Sequence, residues 1–166
     1  MGSFRHALDS LFDRHGTIVM GILNVTPDSF YDGSHWQGAA SIDHFEDLIA
    51  QGAAIIDVGG ESSRPGSCGV SAQEQIARIT PVLEHAERSG HGKLVTVDTC
   101  DPLVAEFALM HGAHAINDVS CLADPALASV AAKYQAGLII MHARGRMCEM
   151  PGYSQVAESS YGDVVL

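Results

Sequence analysis

Basic residues are scarce in this sequence: nine Lys and Arg stand against 20 Asp and Glu, for a formal net charge of −11. That balance excludes nucleic acid as a partner, because gripping a phosphate backbone needs a basic face. Long apolar runs are missing too. None reaches the roughly 18 residues of a bilayer span, so no membrane segment is expected. The opening MGSFRHALDSLFDRH has acids inside it and no continuous apolar stretch, which argues against a secretory signal. Met1-Gly2 also lacks the downstream pattern for acylation. The four cysteines, Cys68, Cys100, Cys121 and Cys148, form no C-x-x-C pair and lie far apart. Reduced, mostly buried thiols in a cytoplasmic protein are expected, not a disulfide framework. Internal repeats, low-complexity tracts and interdomain linkers are absent as well.

What remains is a globular composition, 46% hydrophobic and 17% charged over 166 residues, enough for one domain with a real core. Phe4, Leu8, Leu11 and Phe12 have helical spacing and predict a short amphipathic leader helix. Ile18 to Val25 is a near-continuous apolar run broken by Gly21 and Asn24, the pattern of a strand covered on both faces. Ser41 is placed to cap a helix carrying Ile42, Phe45, Leu48 and Ile49. Ala53 to Val58 is a second buried strand with Asp57 as its polar exception. Ser71 and Glu74 form a capping box for the next helix, which Pro81 is expected to bend or split. Strands from Lys93, Ala115 and Leu138 follow, separated by helices that start after Asp101-Pro102 and Asp124-Pro125. Another helix is expected to begin at Tyr161. This alternation predicts a parallel sheet with right-handed crossovers.

Each predicted strand ends in groups able to bind or react: Asn24 and Thr26, Asp57 with Glu61 to Arg64, Asp98 and Thr99, Asn117 and Asp118, then Met141 and His142. Five polar ends in five strands fit one site at the carboxyl rim of the sheet, where ligands bind in parallel α/β folds. Phe30 and Tyr31 lie inside an otherwise polar loop, as suits a segment closing over a flat organic substrate.

Two stretches carry a resemblance. M-G-I-L-N-V-T-P-D-S-F-Y-D-G, from Met20, and I-I-D-V-G-G-E-S-S-R-P-G, from Ile55, look like the two signatures of dihydropteroate synthase, with Ser63 where that family usually has Thr. V-D-T at Val97, I-N-D-V-S at Ile116 and M-H-A-R-G at Met141 resemble its later motifs in order.

Read singly, these residues leave alternatives. Asp98 is either a helix cap or a buried carboxylate that accepts N–H bonds from a heterocycle such as a pterin. Asp101 already supplies the cap, which favours the second. Asn117 is a turn residue before Asp118 or a donor and acceptor for a pterin edge. Asn24 is a strand-end turn or an oxygen ligand for Mg²⁺. Arg64, rigid between Ser63 and Pro65, is a solvated Arg or a planar fork for phosphate or carboxylate. His142 is expected to be structural. Zinc at His111 and His114 is not expected, because Gly112 breaks the helix between them.

The resemblance implies a TIM (β/α)8 barrel, of which 1–166 would be the N-terminal part of one pterin-binding domain with five of eight β/α units. It implies condensation of 6-hydroxymethyl-7,8-dihydropterin pyrophosphate with p-aminobenzoate, releasing pyrophosphate with Mg²⁺, in a cytoplasmic enzyme that is a homodimer at full length. Asn24 would meet the metal, Asp98 and Asn117 the pterin. Asp28, Phe30, Ser63, Arg64 and Pro65 would form the p-aminobenzoate pocket over the pyrophosphate. Five strands of a barrel would expose two unpaired edges and an apolar interior, so the chain as given is expected to be unstable or self-associating alone, and catalytically dead. The other readings are a non-catalytic pterin-binding module and a pterin-dependent methyltransferase-type barrel, against which the N-V-T-P-D-S-F loop stands.

Overall fold

The computed structural model describes residues 4–26, 39–61 and 69–142. The elements are α1 (Phe4–His15), β1 (Met20–Asn24), α2 (Ala39–Ala50), β2 (Ile55–Gly59), α3 (Ala72–Ser89), β3 (Leu94–Asp98), α4 (Pro102–Met110), β4 (Ala115–Asp118), α5 (Ala126–Tyr134) and β5 (Gly137–Ile140). The five strands form one parallel sheet in the order β1-β2-β3-β4-β5. Strands laid down in chain order by right-handed crossovers must all carry their helices on one face. The packing agrees, since α2 meets α3, α3 meets α4, and α4 meets α5. This is the arrangement of five units of a (β/α)8 barrel, with helices outside and an inner face opposite.

The helix side holds the core. Leu23, Ile56, Val58, Val97 and Ile116 pack against Phe45 of α2, Val82 of α3 and Leu127 of α5, all at most 2% exposed. Gly21 lets α2 approach β1: an added Cβ would lie 3.1 Å from Leu48. Since Gly21 and Leu23 face the helices, alternation turns Met20, Ile22 and Asn24 inward. The register then carries the inner face across the sheet through Asp57 and Gly59, Thr96 and Asp98, Ala115 and Asn117, and Gly137 and Ile139. The leader helix α1 forms where its spacing predicts. Its Phe4 ring lies against the start of β5, where a Cβ on Gly137 would overlap it.

Several local expectations change. β1 is not covered on both faces: Met20 and Ile22 are 36% and 61% exposed. It is an edge strand whose inward side meets no further strand among the described residues, whereas β2, flanked on both edges, is buried throughout. Ser41 does not cap α2. The helix starts two residues earlier, and Ser41 is fully buried inside its first turn. Pro81 does not split α3, which runs unbroken for 18 residues. Ser71 and Asp101 do cap α3 and α4, accepting from the Glu74 and Leu103 N–H groups at 3.3 and 2.8 Å. Asp124 accepts from the Ala126 N–H at 2.9 Å as α5 begins. The expected buried thiols are corrected for Cys100 and Cys121, both free and exposed, because they sit in the loops just past β3 and β4. Cys68, Cys148 and the helix expected at Tyr161 lie outside the described residues.

Candidate functional site

The carboxyl ends of the strands carry the site. One register line runs Asn24, Gly59, Asp98, Asn117, Ile139 across five strands. Neighbouring strands lie about 5 Å apart, so Asp98 and Asn117 are adjacent and Asn24 is about two strand spacings from Asp98. Gly59 keeps the space between them clear. A Cβ there would stand 3.1 Å from Asn24 Oδ1 and 3.6 Å from Asp98 Oδ2. Asn24, Asp98 and Asn117 are each half-buried, open on one side.

Below this line lies Asp57, 3% exposed. Thr96 Oγ1 donates to Asp57 Oδ1, and Asn117 Nδ2 donates to Asp57 Oδ2 at 2.8 Å. The turn that could have claimed Asn117 is made by Asp118 instead. Its carboxylate accepts from Ser120 N at 2.9 Å, from Ser120 Oγ at 2.6 Å, and from the Leu122 N–H. Burial works to raise the Asp118 carboxyl, but these bonds outweigh it and hold it below its ordinary value.

Asp98 behaves oppositely. Burial, and then the charges of Asp57, Glu61 and Asp118, push its carboxyl up from 3.8 to about 7. It is therefore poised between protonated and ionised near neutral pH, a perturbation common where a group has a chemical task. Four carboxyl groups thus gather at one end of the sheet. Arg78, the nearby cation of α3, is occupied by the Gly60 carbonyl at 2.9 Å and by Glu74 at 3.0 Å.

A second tier braces the rim. Gln75 of α3 donates to Glu61 Oε2 at 2.9 Å and to the Val70 carbonyl at 3.0 Å, and accepts from Thr99 Oγ1 at 3.2 Å. Thr99 Oγ1 in turn accepts from the Asp101 N–H at 3.1 Å. The ends of β2 and β3 are thereby tied to the start of α3.

Of the residues picked from sequence, Asn24, Asp98 and Asn117 are brought together. Asp28, Phe30, Ser63, Arg64 and Pro65 lie outside the described residues. His142, expected as a structural residue, is exposed just past β5. His111 and His114 do not converge: His111 Nδ1 is bonded to the Phe107 carbonyl and His114 Nδ1 accepts from the Val95 N–H. Burial holds His114 below its ordinary value. The residues sequence reading left out are Thr96 and Gln75, and it named Asp57 among the polar strand ends without giving it a partner. Asp57 was legible as the polar break in an apolar strand, but nothing local marked Gln75. Among the described residues no group of three His, Cys, Asp or Glu is arranged to hold a metal.

The fold defines a barrel-type α/β protein with a row of polar groups at its carboxyl rim. The sequence model of pterin-binding enzymes matches residues 20–165, and the chain belongs to that family. It is 48% identical over 126 residues to the dihydropteroate synthase of Streptococcus pyogenes, covering 75% of this chain and 47% of that protein. The chain thus spans about half the length of the curated relatives it matches. Its fold matches a Clostridium difficile dihydropteroate synthase solved in the presence of pteroic acid, with TM-score 0.73, 43% identity, and 77% and 49% of the two chains covered. It also matches a Xanthomonas albilineans dihydropteroate synthase with 4-aminobenzoic acid, at TM-score 0.70, 39% identity, and 76% and 46% coverage.

Proposed function

We propose that this chain carries the pterin-binding side of a dihydropteroate synthase, a transferase of folate biosynthesis. The reaction joins 6-hydroxymethyl-7,8-dihydropterin pyrophosphate to p-aminobenzoate. The observation that carries the reading is the register line of Asn24, Gly59, Asp98 and Asn117, which sets two ring-binding groups side by side with an oxygen ligand across a gap held open by glycine.

In this reading Asp98 and Asn117 hold the N–H edge of the pterin. The ring then lies above Asp57 and Asp98, whose negative field stabilises positive charge on the pterin and its methylene carbon. The C–O bond to pyrophosphate breaks with its electron pair leaving on the phosphate oxygen. The amine nitrogen of p-aminobenzoate forms the new C–N bond and gives up a proton. Little covalent chemistry is asked of the protein, which positions and stabilises. Asp28, Phe30, Ser63, Arg64 and Pro65 are assigned to the p-aminobenzoate pocket by the family motifs they belong to.

The same acidic field opposes a pyrophosphate, so a cation is needed at the rim. The donor there suits Mg²⁺, a hard ion that takes one or two protein oxygens and leaves other positions for phosphates. Asn24 presents such an oxygen, half-buried and facing the gap over Gly59. When bound, Mg²⁺ would neutralise the leaving pyrophosphate. A cytoplasmic setting is favoured by cysteines without C-x-x-C pairing, two of them free among the described residues. None of the described helices is long and apolar enough to cross a membrane. A homodimer is the assembly the family resemblance leads us to expect.

Calorimetric titration with 6-hydroxymethylpterin tests the reading. Saturable binding by the wild-type chain, lost in Asp98→Ala, is expected. A folded wild-type chain that binds no pterin at millimolar concentration overturns it.

A further inference from the structure

We propose that Asp57 is a positioning residue: its carboxylate decides which end of the Asn117 amide faces the site, and so makes position 117 a hydrogen-bond acceptor toward the ligand. The ligand's identity rests on the pterin reading above; the orientation of the amide does not.

Asp57 sits on the inner face of β2, 3% exposed, and both of its oxygens are used. An ionised carboxylate only accepts, so each neighbour must turn a donor toward it. Thr96 has only its hydroxyl proton to give. Asn117 must give its NH₂, because the amide oxygen in that place would set two acceptors against each other at 2.8 Å. The sense of an Asn amide follows from its hydrogen-bond partners, and here those partners allow one sense. The amide group is planar, so its oxygen points away from Asp57. Asn117 is only half-buried and stands beside Asp98 in the register line. The rim therefore offers two acceptors in adjacent strands, the Asp98 carboxyl and the Asn117 oxygen. That pair matches a ring edge bearing N–H donors, such as the aminopyrimidinone of a pterin, and rejects an edge of acceptors.

Asp57 could instead serve only to knit β2, β3 and β4 together, and two variants separate these roles. In Asp57→Asn the new amide has one oxygen for two donors, and where that oxygen stays on the Thr96 hydroxyl an NH₂ turns toward Asn117. The Asn117 oxygen must then face inward, and position 117 shows the ligand a donor. Adding Asn117→Asp restores an acceptor: one oxygen receives the NH₂ from position 57 and the other faces the site. A purely structural role gives no reason for the second change to repair binding lost by the first.

The experiment uses the full chain and 6-hydroxymethylpterin as the probe, with affinity measured by calorimetry and folding by thermal melting. Asp57→Asn is expected to weaken binding by about ten- to a hundredfold, the cost of one mismatched buried hydrogen bond. Asp57→Asn/Asn117→Asp is expected to recover most of that loss. Loss of binding in the single variant with no recovery in a folded double variant overturns the inference. Hydrogen exchange of the Asn117 side-chain amide in ligand-free wild type, read by NMR, decides the case without any ligand and without any variant having to fold. Protected amide protons are expected, and exchange as fast as in an exposed Asn overturns the inference. If the wild-type chain binds no pterin, the functional reading fails, and this amide measurement still decides the role of Asp57.

Discussion

Replacing Asp98 by Asn should make the protein more stable and less able to bind, and the gain should depend on pH. The folded state holds the Asp98 carboxyl up near 7, against an ordinary value of 3.8, through burial and then the charges of Asp57, Glu61 and Asp118. Below 3.8 the group is protonated in both folded and unfolded chains and costs nothing. As pH rises from there to about 7, the unfolded chain releases the proton and the folded chain keeps it, so stability falls. Above 7 the folded state carries the whole penalty, about 4 kcal/mol from the gap between the two values. An amide has nearly the shape of the protonated acid and never ionises. The advantage of Asp98→Asn should be near zero at pH 4 and approach 4 kcal/mol at pH 8, on the order of 10 °C in melting temperature for a chain of this size. Paired thermal and urea melts of both proteins at four pH values measure it, and the comparison cancels much of the titration of the other acids. A stability difference that does not change with pH, or a variant less stable at pH 8, would refute the reasoning.

Three further outcomes follow from the same geometry. Gly60→Ala would set a Cβ 2.8 Å from the Gln75 carbonyl oxygen and 2.9 Å from its Cα, so α3 must shift. We expect a loss of roughly 1–3 kcal/mol in urea unfolding, the usual cost of overpacking. Asn24→Ala should weaken Mg²⁺-dependent binding of the pterin pyrophosphate about tenfold or more while leaving 6-hydroxymethylpterin affinity unchanged, since it removes one ion ligand and no ring contact; equal losses for both ligands in calorimetry would count against the assignment. Cys100 is exposed as a residue, yet burial of its thiol pushes it up to about 11, with a Ser120 hydrogen bond opposing and the Asp118 charge adding. Iodoacetamide should therefore label it slowly at pH 8 and faster as pH rises toward 11, as mass spectrometry would follow.

Much of this protein was legible in the sequence because the signals are local. A strand between two glycine- or proline-marked turns, a Ser71 or Asp101 that caps within three residues, and a polar group at each strand end all act over a few positions of chain. Those patterns determined the β/α alternation, the rim as the place of the candidate site, and Asn24, Asp98 and Asn117 as its candidates. The tertiary structure decided what depends on register and on closure. Whether β1 is covered rests on what lies beside it, not on its own apolar run, so Ile22 is exposed where the pattern reads as buried. The tie between Asp57 and Asn117 spans 60 residues and exists because β2, β3 and β4 align their inner faces. Gln75 reaches Glu61 and Thr99 only because Gly60 lets α3 settle against the rim. The raised carboxyl of Asp98 likewise comes from burial and from three acids that only the assembled sheet brings near. Sequence sets which groups are available at each strand end, and folding sets their neighbours, on which their protonation and orientation depend.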